Sequence, residues 1–143
     1  MAEPSESADA AWSASIAAAV LRRGSMVHVA SLVLSLAAVL AGATLKSDVG
    51  WLIAAAIVLV LGLAEFWLAA RVALDADLFD VLGARRADLA SFDRAMRGLG
   101  LMPSDKAGRP LGARIRGAFR LLKLQALTLA LQIAVLVVCA VWA

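Results

Sequence analysis

Three long apolar runs divide the chain. Met26–Leu45 is 20 residues long, and His28 is its one titratable side chain. Val49–Ala70 is 22 residues interrupted only by Glu65, and Leu124–Ala143 is 20 residues without a charge. At a rise of about 1.5 Å per residue, roughly 20 residues cross a hydrocarbon core of about 30 Å. The pattern predicts an all-α integral membrane protein with three transmembrane helices.

Between and before those runs the periodicity changes. In the 1–25 segment, residues 1–7 read as disordered, and Trp12, Ile16 and Val20 then fall four apart on one helical face. That stripe suits two arrangements: a short amphipathic helix on the cytoplasmic leaflet, or an extension of the first span. No glycine or proline occurs from Leu63 to Leu82, so the second span should continue beyond the membrane until Gly83. Ala87–Leu99 resumes as helix, with Leu89, Phe92, Met96 and Leu99 along one stripe. Gly98, Gly100 and Pro103 end it, and Met102–Arg109 reads as a turn. Pro110 suits a first helical turn, and its helix should run through Ile115, Phe119 and Leu122 into the third span. The 71–123 segment is therefore expected to form a cytoplasmic helical hairpin, an extension of spans two and three.

Charge gives the chain a direction. Thirteen of the 14 Lys and Arg residues lie before the first span or in the 71–123 segment, and only Lys46 lies in the other loop. The positive-inside rule then predicts an N-in, C-out topology. Trp51 and Trp142 would mark the outer interface and Trp67 the inner one. Counting outward from inner edges at Ala70 and Leu124 sets Asp75, Asp77 and Asp80 beside Arg120, Arg116 and Arg114. Hairpin pairing across these positions is one expectation. The other is that Arg114, Arg116, Arg120 and Lys123 meet anionic lipid headgroups. Asp75 also sits four residues after Arg71, the spacing of a local helix pair.

Composition narrows the class. Apolar residues make up 63% of the chain and charged residues 17%, against about 25% charged in soluble domains. An intrinsically disordered chain is excluded, and a water-soluble globule is disfavoured. A single cysteine, Cys139, cannot form an intramolecular disulfide, and a single histidine excludes multi-histidine metal or haem sites. No Gly-rich phosphate loop and no nucleophile–His–acid set is present, so neither an enzyme, a cofactor nor a bound metal is expected. The basic residues hug membrane edges, and nucleic acid is not an expected partner. Arg22-Arg23 with Ala41-Gly42-Ala43 imitates a twin-arginine signal, but the acidic, long leading segment and span-length apolar run argue against cleavage.

Candidate chemistry gathers in the inner half of the spans. Glu65 is the only acid within a span. The depth count sets it level with Ser31 and Thr128, with His28 and Ser35 on either side in span one and Gln125 and Gln132 in span three. Ser31 and Ser35 share one helix face, and so do Gln125, Thr128 and Gln132. Three accounts of this cluster remain open: packing through interhelical hydrogen bonds, a protonatable site at Glu65 with His28, and docking of a partner's transmembrane helix.

The expected function is that of a small non-catalytic accessory or scaffold subunit, assembling with itself or a larger complex. The Leu89, Phe92, Met96 and Leu99 stripe would serve as its cytoplasmic docking surface. Two alternatives are an oligomeric proton- or ion-translocating component using Glu65, and a lipid-linked sensor using the basic ring. Usage rich in Ala, Leu, Val and Arg points to a bacterial inner membrane.

Overall fold

A computed structural model describes residues 4–44, 49–84, 88–100 and 108–142. Lys46, Arg85, Arg86 and most of the turn expected over 102–109 lie outside the described residues. Among the described residues all regular structure is α-helix: α1 (Pro4–Arg22), α2 (Gly24–Thr44), α3 (Val49–Ala84), α4 (Leu89–Gly98) and α5 (Leu111–Trp142). Helix begins at Pro4, which corrects the disorder expected over residues 4–7; residues 1–3 lie outside the described residues.

Three helical stretches are long and apolar enough to cross a membrane: Ala8–Thr44, broken at Arg23, then Val49–Ala84 and Leu111–Trp142. The second and third continue well past the apolar runs that define their spans. Nothing between Leu63 and Leu82 interrupts the backbone hydrogen bonds of α3, and α3 closes one residue after Gly83. At the start of α5, Ala113 N–H and Arg114 N–H both donate to Pro110 O. Pro110 lacks the N–H that a first turn would leave unused.

The chain divides into two compact units. One comprises Arg23–Val72 with Leu121–Ala143, the other Met1–Arg22 with Ala73–Arg120. In the first unit α2 runs antiparallel to α3 and parallel to α5. Its apolar core is Ala38, Ala55 and Val58, with Val135 and Leu136 against them. Alanine at two of these positions brings backbones close, which is how membrane helices gain contact where lipid removes the hydrophobic incentive. Beside this core an apolar groove of about 480 Å³ opens between α3 and α5, with Trp51, Ile57, Leu131, Val135, Cys139 and Trp142 among its walls.

In the second unit α1 lies antiparallel to the end of α3. It buries Ala14, Ala17, Ala18 and Leu21, while Trp12, Ile16 and Val20 stay exposed. The inward face is thus opposite the one marked by large apolar residues. The reason is visible at Gly83, where a Cβ would collide with Ser15 Oγ and lie 3.3 Å from Ala11 O. Only a small-residue face lets two backbones approach this closely. Arg22 pairs with Asp80 at 2.9 Å on the exposed flank of the same contact.

Helix α4 starts at a defined cap. Ser91 N–H donates to Asp88 Oδ1 at 3.1 Å, the usual way an N-terminal acid satisfies a free backbone donor. Hydrogen bonds from Ser91, side chain and then backbone, hold the Asp88 carboxyl below its ordinary value. A carboxylate lowered on folding stabilises the fold above its unfolded pKa, and that contribution fades as pH falls through the folded value. Protection of the Ser91 amide, measured relative to its intrinsic exchange rate, should therefore hold at neutral pH and fall only in strong acid. Asp88→Asn should keep the cap and lose that acid response.

Candidate functional site

The first unit carries a polar seam where α2, α3 and α5 meet. Glu65 is fully buried. One of its carboxylate oxygens lies 2.8 Å from His28 Nδ1 on α2, and the other accepts from Gln125 Nε2 on α5 at 2.8 Å. The same amide nitrogen donates its second hydrogen to Gly24 O at 2.8 Å, so one carboxylate and one amide tie three helices together. This is possible because position 24 is glycine: a Cβ there would fall 2.9 Å from Gln125 Oε1 and 3.1 Å from Val72 and Leu122 side chains. Phe66 closes one side of the imidazole, its ring centroid 5.7 Å away.

A second tier lies further along the spans. Gln132, fully buried, donates to Ser35 Oγ at 3.2 Å and to Val58 O at 3.1 Å. Gly62 makes the room, since a Cβ there would meet Ser35 Oγ at 2.6 Å and Gln132 Nε2 at 3.2 Å. Between the tiers Ser31 is buried, and its Oγ, like Gln125 Oε1 and Gln132 Oε1, has no hydrogen-bond partner among the described residues. Thr128 is half-buried and donates to Gln125 O of its own helix at 2.7 Å.

Gly62 faces Ser35 and Gly42 faces Ala55 across the seam, a register that leaves the Glu65 backbone near the level of Ser31. Its long side chain reaches about one turn toward the start of α2 to meet His28 and Gln125.

The second unit holds a polar site that periodicity did not single out. Asp93, 5% exposed, accepts from Gly108 N–H at 2.7 Å and from Arg114 at 2.9 Å. The Arg114–Asp93 ion pair closes to 2.8 Å with both side chains largely buried. Arg114 also donates to Arg109 O at 3.0 Å and stands 5.8 Å from the centre of the Phe92 ring. Gly108 takes a φ of 76°, a left-handed conformation that glycine adopts without strain. The expected alignment of Asp80 with Arg114 is overturned: Asp80 takes Arg22 and Arg114 takes Asp93. Asp77, Arg116, Arg120 and Lys123 are exposed and Asp75 is half-buried. Arg71 lies over the Trp67 ring at 5.3 Å.

The signal for Asp93 was present in the sequence. It lies four residues after Leu89 and three before Met96, on the face of the apolar stripe. An acid on that face needs a partner, and Arg114 supplies it. The stripe itself is partly covered: Leu89, Phe92 and Met96 are half-buried, and only Leu99 is exposed, at 71%. A recess of about 450 Å³, with Val81, Leu82, Asp88, Ser91, Phe92 and Met96 in its walls, lies between α4 and the end of α3.

Among the described residues no group of three or more His, Cys, Asp or Glu side chains could hold a metal ion. No protein-family model, no curated protein and no solved structure matches the chain.

Proposed function

We propose that this chain is a small non-catalytic subunit of a bacterial inner membrane, assembling with itself or with a larger membrane complex. Its N-terminus and the 71–123 segment face the cytoplasm and its C-terminus faces outward, the arrangement favoured by the Lys and Arg distribution. The 71–123 segment is its cytoplasmic helical hairpin, and anionic headgroups on that side neutralise the exposed Arg116, Arg120 and Lys123.

The supporting observation is where the polar chemistry is spent. Glu65, Gln125, Gln132 and Ser35 bond to the chain's own helices, and the outward surfaces of the three spans are mostly Ala, Val, Leu and Ile, with Met26, Phe66, Trp67 and Trp142. Such a unit is built to hold its shape against another membrane surface. Native mass spectrometry of gently extracted protein should find it with partner chains at fixed stoichiometry, or as a defined homo-oligomer. Leu99→Asp changes an exposed residue at the end of α4 and should weaken assembly at least tenfold without lowering helix content. A monomer with no partner, unaffected by Leu99→Asp, would refute this reading.

A second reading is an oligomeric proton- or ion-translocating component. It is favoured by the burial of an acid and an imidazole in contact inside the apolar unit. Loss of pH-dependent flux in Glu65→Gln proteoliposomes would support it, and flux unchanged in that variant would remove it.

A further inference from the structure

The His28–Glu65 contact needs a proton of its own. At 2.8 Å, Nδ1 and Oε2 cannot face each other as two lone pairs. One proton lies between them, on Nδ1 against a carboxylate or on Oε2 against a neutral imidazole. The other carboxylate oxygen is fixed as an acceptor. Gln125 Nε2 donates to Glu65 Oε1 and to Gly24 O at once, and reversing that amide would set oxygen against oxygen twice. The free variable is therefore His28 Nε2. With Nε2 bare the pair carries one negative charge; with Nε2 protonated it is neutral overall, wherever the shared proton sits.

Access to the pair runs through the imidazole. The Glu65 side chain is 1% exposed and the His28 side chain 24%. The other described ionisable side chains of this unit are Arg23, Arg71, Lys123 and Cys139. Arg23 and Lys123 are exposed, Arg71 lies over Trp67, and Cys139 lines the groove near the opposite end. Among the described residues only His28 forms an ion pair with Glu65. Beyond Ser35, Gly62 and Gln132 the described residues of the spans offer no further titratable group but Cys139, and Thr44 bonds to its own helix at Leu40 O.

We propose that His28 and Glu65 form a one-proton binding site, filled and emptied through His28 from the end of the bundle where α2 begins. The site is blind toward the other end. A proton from water adds to Nε2 and returns the same way, and its presence decides whether the meeting point of three helices holds a net charge. The grip of α2 on α3 and α5 then responds to pH on one side of the membrane. This goes beyond the subunit reading, and it parts from translocation, because the proton never crosses. It rests on the membrane reading only for naming that side as cytoplasmic.

The chain contains a single histidine, so ¹⁵N-histidine labelling of the full chain in lipid bilayers reports this ring alone. Across a pH series, the protonation state of one ring nitrogen should change in one step while the other stays hydrogen-bonded. In Glu65→Gln the hydrogen-bonded ring nitrogen should lose the signature of its carboxylate partner, whereas Gln125→Leu should keep it. A hydrogen-bonded nitrogen unchanged in Glu65→Gln, or two nitrogens exchanging freely as in an exposed imidazole, overturns the proposal. Sidedness is read on the unaltered chain, which removes any dependence on the variants folding. In oriented proteoliposomes a pH jump on the α2-start side should shift the signal, and a jump on the opposite side should leave it unmoved. A response to both sides overturns the blind end. Labelling Cys139 with an impermeant thiol reagent fixes the orientation independently, so failure of the topology and failure of the site are told apart.

Discussion

Asp93→Ala should destabilise the second unit by about 3–5 kcal/mol, the cost of breaking a buried ion pair by removing one partner. The substitution leaves the Arg114 guanidinium, 14% exposed, without its counter-charge. It also strands Gly108 N–H, whose 2.7 Å acceptor is the same carboxylate. Arg109 O and the Phe92 ring remain near Arg114, but neither carries a negative charge. Asp93→Asn should lie between, because an amide oxygen still accepts from Gly108. Replacing both partners with Leu should recover most of the loss, since an apolar pair of similar volume needs no compensation. Denaturant titration in micelles, with amide exchange on α4, reads all three. A loss below about 1 kcal/mol for Asp93→Ala would mean the pair behaves as an exposed one.

Gly62→Val carries the second-largest effect, about 2–4 kcal/mol. Overpacking a close contact costs roughly 1–3 kcal/mol, and an interhelical hydrogen bond in a membrane is worth about 0.6–2 kcal/mol. Both apply here. The first carbon of any side chain at position 62 would meet Ser35 Oγ at 2.6 Å. Either Ser35 rotates away and Gln132 loses its hydroxyl acceptor, or α2 and α3 separate. Gly62→Ala should show a smaller loss, and Ser35→Ala combined with Gly62→Ala should cost less than the sum of the two. Additive losses in that cycle would show that the two positions do not share the contact. Steric trapping or detergent unfolding of the spanning unit gives the free energies.

The spans could be read from the sequence because a run of 20 apolar residues has few other places to go. So could the continuation of α3 to Ala84 and the start of α5 at Leu111, from the lack of helix breakers in one case and Pro110 in the other. Helical spacing also sets Gln125 and Gln132 on one face, and both are buried. The side-chain partners of Glu65 were not legible: level counting places backbones, and a long side chain reaches His28 and Gln125 about one turn away. Nor was the inward face of α1. A stripe of Trp12, Ile16 and Val20 marks the larger apolar area, but close approach at Gly83 selects Ala14, Ala17 and Ala18 by volume. Asp93 stood in view on the stripe's face, but its partner did not: Arg114 lies 21 residues away, beyond the reach of any local spacing rule.

The groove between α3 and α5 constrains how copies of this chain could ever be joined covalently. Cys139 is the chain's one thiol, and it sits in the wall of that groove. A disulfide requires Cα atoms about 4.4–6.8 Å apart, and a single thiol can be used only once. Oxidised material can therefore reach a dimer and no further, in an isologous pair with the two grooves turned toward each other. Any larger covalent species would have to be joined through some other chemistry.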